Sequence, residues 1–146
     1  MTPPFHRGQF VWCMFPYFEE PLKPGPAPHI GYVLDVRRQR GKNHLTVASL
    51  YTTTRPWTPG TPIPKGVIPI ANKVARRMNQ KGFVLDCRRI AFMPLGLEFF
   101  PALQRPDKGI VHQMEPDFQK SIEKRLGTWM KERGLVAFLG PDVPER

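Results

Sequence analysis

At 146 residues the chain is the size of one ordinary domain, long enough to bury its apolar surface without staples. Its 22 Lys and Arg against 12 Asp and Glu leave a net charge of +10. That surplus favours a polyanionic partner, nucleic acid first and an acidic protein second, although a merely soluble basic protein would carry it too. The longest apolar run, residues 10–15, falls far short of the roughly 20 residues that cross a bilayer, so no transmembrane helix and no membrane partner are expected. Cys13 and Cys87 lie in apolar stretches without Cys-x-x-Cys spacing or a signal-peptide pattern, which predicts buried free thiols in a reducing cytoplasm.

Along the chain, residues 10–15 show no polar alternation and suit a strand covered on both faces, or one in a barrel. The 18 prolines cluster at 21–28 and 56–69, where they predict ordered loops. Residues 29–36 form a second strand that ends in the basic turn 37–43. Residues 44–52 return as a third, with Leu45, Val47, Ser49 and Tyr51 on one face and Thr46, Ala48, Leu50 and Thr52 on the other. After a loop containing Trp57 come a short strand at 67–70, a helix at 71–80 and a last main strand at 83–93. In that strand Arg88 and Arg89 take opposite faces by period two, so at most one points into a given groove. Residues 95–100 read as a short strand or single helical turn that gives Leu97, Phe99 and Phe100 to the core. A helix follows at 116–133, with Phe118, Ile122, Leu126, Trp129 and Met130 on one face that packs on the chain's own sheet in preference to a partner. The tail, 135–146, reads as loosely ordered.

Three segments carry a family pattern. They are Gly8-Gln9-Phe10-Val11-Trp12 with Phe15-Pro16-Tyr17, then Pro28-His29-Ile30-Gly31-Tyr32-Val33-Leu34 after the Pro24-Gly25 hinge, then Val47-Ala48-Ser49-Leu50-Tyr51-Thr52-Thr53-Thr54-Arg55. In this order they resemble the PemK/MazF toxin family, over residues 7–103. The resemblance implies one mostly β domain over 1–146: a small SH3-like barrel with a short internal helix and a C-terminal helix, usually a homodimer whose interface creates the RNA groove. It implies a metal-independent endoribonuclease toxin of a toxin-antitoxin system, cytoplasmic, cutting single-stranded RNA without a cofactor and blocked by an acidic antitoxin protein. The alternative is the same barrel with a degenerate site, binding nucleic acid or an acidic protein without cleavage.

RNA cleavage without metal needs a group to take the 2'-hydroxyl proton, one to protonate the leaving 5'-oxygen, and donors for the phosphorane charge. The family's arginine at the start of the second strand falls on His29, and its threonine falls on Thr53, with Thr52 and Thr54 beside it. Histidine can act as acid or base but lacks arginine's permanent charge and five-donor fork. His29 is therefore either catalytic or a solvated residue at a strand start. Arg55, Arg37 or Arg38 would supply the missing cation, Trp57, Tyr51 and Tyr17 would stack bases, and Arg88 would meet the backbone. The four histidines show no metal-ligand spacing, and neither a phosphate-binding glycine loop nor a Gly-x-Ser-x-Gly elbow is present.

Overall fold

The computed structural model describes residues 3–17, 19–38, 44–53, 62–78 and 84–132. Their elements are β1 (Gln9–Cys13), β2 (His29–Arg38), β3 (Leu45–Thr53), β4 (Val67–Pro69), α1 (Asn72–Arg77), β5 (Val84–Pro94), β6 (Ile110–Gln113) and α2 (Pro116–Glu132). The strands form one six-stranded sheet in the order β4-β5-β3-β2-β1-β6, and every neighbouring pair is antiparallel. The fold is mostly β with two helices.

The middle strands carry apolar side chains on both faces because both faces are covered. One core holds Phe10, Tyr32, Leu50 and Leu85 against Ile122 and Leu126 of α2. The opposite face packs Val11, Val33 and Val47 against Phe5, Phe99 and Phe100. The apolar stripe of α2 therefore lies on its own sheet, with Ile122, Leu126 and Met130 buried and Phe118 and Trp129 packed at the margin. Arg7 ties the helix to β2, its Nε donating to the Leu34 carbonyl at 2.9 Å and its guanidinium pairing with Glu123 at 2.8 Å. Cys13 and Cys87 are buried free thiols, and burial pushes them up to about 12 and about 11 respectively.

Two elements differ, the first only in part, from the sequence expectation. Residues 95–100 make a single helical turn, closed by the Phe100 amide on the Gly96 carbonyl at 2.9 Å. It buries Phe99 and Phe100 but leaves Leu97 49% exposed, because a helical turn spreads neighbours around its axis where a strand would alternate them. Strand β6 had no counterpart in the sequence reading; four residues of middling hydrophobicity after a turn through Lys108 and Gly109, both at positive φ, give too short a pattern. It is recruited by pairing with β1. The expected tail at 135–146 lies outside the described residues.

Ile122 is fully buried, so Ile122→Ala should cost about 2–5 kcal/mol in urea unfolding. Leu97→Ala, at an exposed position, should stay within about 0.5 kcal/mol of the parent. Equal effects would contradict the packing described.

Candidate functional site

The site is built on a break in a ladder. β3 and β5 pair continuously from Thr46 with Pro94 to Leu50 with Ile90, and again from Tyr51 with Asp86 to Thr53 with Val84. Leu50 and Tyr51 are consecutive, whereas Cys87, Arg88 and Arg89 intervene between their partners and bulge out of the sheet. The Asp86 carboxylate holds the bulge: it accepts from the Arg88 amide at 3.0 Å, from Arg88 Nε at 2.8 Å and from its terminal nitrogen at 2.9 Å. An aspartate that bonds the amide two residues on gives the backbone a turn in place of a ladder. The Cys87 amide donates to the Gly66 carbonyl at 2.7 Å, on the β4 side.

This bulge overturns the expectation that Arg88 and Arg89 diverge. Period two holds only along an unbroken strand. Here both arginines line one cleft of about 190 Å³ with Tyr51, Thr53 and Asp86. Two cations against one carboxylate leave it electropositive.

Tyr51 is the hub. The Arg89 guanidinium carbon lies 3.9 Å from its ring centre, Phe15 meets it edge-on at 5.1 Å, and the His29 ring is 5.4 Å away. Arginine over tyrosine is a cation–π contact that fixes the guanidinium before any ligand arrives. His29 opens β2 and Thr53 closes β3; the two strands pair from Gly31 with Tyr51 onward, so both residues come to the same end of adjacent strands. His29 is half-buried, not a freely solvated strand start. Burial first, and the Arg89 charge second, hold its pKa below 6.5. At neutral pH the imidazole is therefore uncharged and able to accept a proton.

Beside this cleft runs a larger one of about 440 Å³, which shares Arg88 and Arg89 and is faced by Phe15, Tyr17, Leu22 and Phe92. Tyr17 is 54% and Leu22 90% exposed, so apolar surface stands open next to the arginines.

Other expected residues fall elsewhere. Thr52 is 2% exposed, and its hydroxyl donates to the Ile30 carbonyl inside the sheet, so it does not face the cleft. Arg37 and Arg38 end β2, eight and nine residues beyond His29 and so roughly 25–30 Å from it along an extended strand, and Arg37 is paired with Asp35. One cleft does not hold them with His29. Thr54, Arg55 and Trp57 lie outside the described residues. What the sequence reading missed is Arg89 as a partner of Arg88, and Asp86 as the residue that holds Arg88 beside it. The only linear signal was Asp86-Cys87-Arg88-Arg89, a charged interruption in an apolar strand. Among the described residues, no three His, Cys, Asp or Glu side chains gather as metal ligands, and no helix is long and apolar enough to cross a membrane.

Arg89→Gln should move the His29 pKa back up towards 6.5, read from the imidazole proton shifts in an NMR pH titration; an unmoved titration would refute the coupling. The sign for stability follows. With a lowered folded pKa, the unfolded chain takes this proton more readily, so the His29 contribution is full above pH 6.5 and is lost as pH falls through the lowered value. Sought among known protein families and among curated proteins, the chain finds no match in either.

Proposed function

We propose that the chain is a PemK/MazF-like endoribonuclease toxin, built on an SH3-like barrel, that cuts single-stranded RNA in the cytoplasm without a metal. The observation that carries this reading is the meeting at Tyr51 of a neutral imidazole, His29, and the two-arginine cleft that ends at Thr53. In such cleavage the RNA's own 2'-oxygen bonds to phosphorus as it loses its proton. The bond from phosphorus to the 5'-oxygen breaks, and that oxygen takes a proton from solvent. His29 accepts the first proton. Arg88 and Arg89 hold the nonbridging oxygens, whose charge grows at the phosphorane, and Thr53 offers them a hydroxyl. The guanidinium that the family carries at the start of the second strand is supplied in this chain from the β5 bulge. The net charge of +10 suits the remaining partners of this reading, an acidic antitoxin segment and RNA, with a second copy of the chain completing the groove.

Incubated with mixed RNA and EDTA, the purified protein should leave fragments with 2',3'-cyclic phosphate and 5'-hydroxyl ends. His29→Ala should slow cleavage by about 10²–10⁴-fold while RNA affinity stays within several-fold, because the base acts mainly in the transition state. Arg89→Ala should weaken binding and flatten its salt dependence by about 0.7 in slope. RNA that is bound yet intact at enzyme excess would replace cleavage with the binding-only reading, which the capture of Arg88 by Asp86 and the loss of the family arginine favour. For the assembly, light scattering at micromolar concentration should give a dimer, and a monomer would count against it.

A further inference from the structure

Beyond Gly66 lies a second groove, of about 490 Å³, lined by Lys65, Lys124, Arg125, Trp129 and Glu132. Lys65, Lys124 and Arg125 are exposed, and Trp129 is partly so. Glu132 is the one carboxylate, 3.9 Å from Lys65, which leaves a surplus of cations around an indole. That combination of open basic side chains and one large aromatic is what a sequence-tolerant single-stranded nucleic acid site requires, charge for the backbone and a ring for a base.

The groove adjoins the first cleft at Gly66 and Val67, consecutive residues of which Gly66 lines the groove and Val67 the cleft. This residue sits at φ +86, and a Cβ there would lie 3.0 Å from the Trp129 indole and 3.2 Å from Arg88 Cγ. The chain is therefore pinched between the aromatic of one groove and the arginine of the other. Its carbonyl accepts the Cys87 amide of the bulge. The Arg125 charge is also felt at Cys87, one residue from Arg88. Only the Gly66 backbone stands between the Trp129 indole of one groove and the Arg88 side chain of the other.

We propose that single-stranded RNA leaving the Arg88 and Arg89 cleft continues over Gly66 into this groove, its phosphates on Lys65, Lys124 and Arg125 and a base against Trp129. The inference rests on the RNA reading of the first cleft and extends its footprint to the outer face of α2. RNA is favoured over an acidic peptide because the groove prolongs a cleft that already holds phosphate-binding arginines and stacking rings.

The test compares a short RNA of about 4 nucleotides, enough for the first cleft, with one of about 16 that reaches the second. Binding is measured with uncuttable 2'-O-methyl RNA at several salt concentrations, and cleavage with ordinary RNA. The double variant Lys124→Gln, Arg125→Gln alters only exposed side chains. It should bind the long RNA about tenfold or more weakly, with a salt slope smaller by about 1.4, and should bind and cut the short one like the parent. Trp129→Phe, which keeps the packing role, should weaken the long RNA alone.

If the parent cuts RNA and the double variant matches it on the long RNA in affinity and slope, the second groove is not part of the track, while the first reading stands. A parent that neither binds nor cuts the short RNA overturns both. Should the double variant lose poly-glutamate binding yet hold the long RNA unchanged, the groove belongs to an acidic protein and the proposal is wrong.

Discussion

The central strands of this sheet are buried on both faces, and the rest of the molecule follows from that constraint. With β2 and β3 covered by α2 on one side and by the Phe5, Phe99 and Phe100 cluster on the other, a polar side chain in the middle of the sheet has no water to meet. Burying such a group without a partner costs on the order of 1–3 kcal/mol. Thr52 shows how the cost is avoided, its hydroxyl bonded back to the Ile30 carbonyl. Chemistry is thereby pushed to the places where the ladder stops or breaks: the end shared by His29 and Thr53, and the bulge at residues 87–89.

The bulge does two physical jobs with one carboxylate. Asp86 satisfies the Arg88 amide that left the ladder, and it binds the same residue's guanidinium in a forked pair. The pair is partly exposed, with the arginine side chain at 42%, so its worth to stability is modest. Its larger effect is orientation. A guanidinium fixed by Asp86 and another laid over Tyr51 have already given up rotamer freedom, and a ligand that binds them loses less entropy in doing so. Burial first, and the Arg89 charge after it, hold the His29 pKa below its ordinary value, so the imidazole beside Tyr51 is uncharged at neutral pH.

Gly66 links this arrangement to the helix side. Its positive φ and its close neighbours, Trp129 and Arg88, leave no room for a side chain, and its carbonyl serves the bulge directly. The start of strand β4 is thus tied to the bulge and lies directly against Trp129 of α2.

What the sequence by itself determined was mostly what periodicity encodes. Strands β1 to β5, the internal helix, α2 and its packing face, and the two buried thiols all follow from apolar runs, proline and glycine punctuation, and a stripe at helical spacing, since these are local consequences of burial. His29 and Thr53 were singled out by the resemblance to the PemK/MazF family, and strand pairing brings them to the same end of adjacent strands. Only the tertiary structure decided the rest. Strand β6 exists because β1 offers it an edge, Leu97 faces water because its segment turns, and Arg37 and Arg38 lie far from His29 because an extended strand carries them away. Above all, Arg88 and Arg89 share a cleft because three residues of β5 skip the ladder opposite two consecutive residues of β3. A bulge is a mismatch between two strands, and period two read along a single strand does not locate it, although a charged interruption at residues 86–89 marks the place.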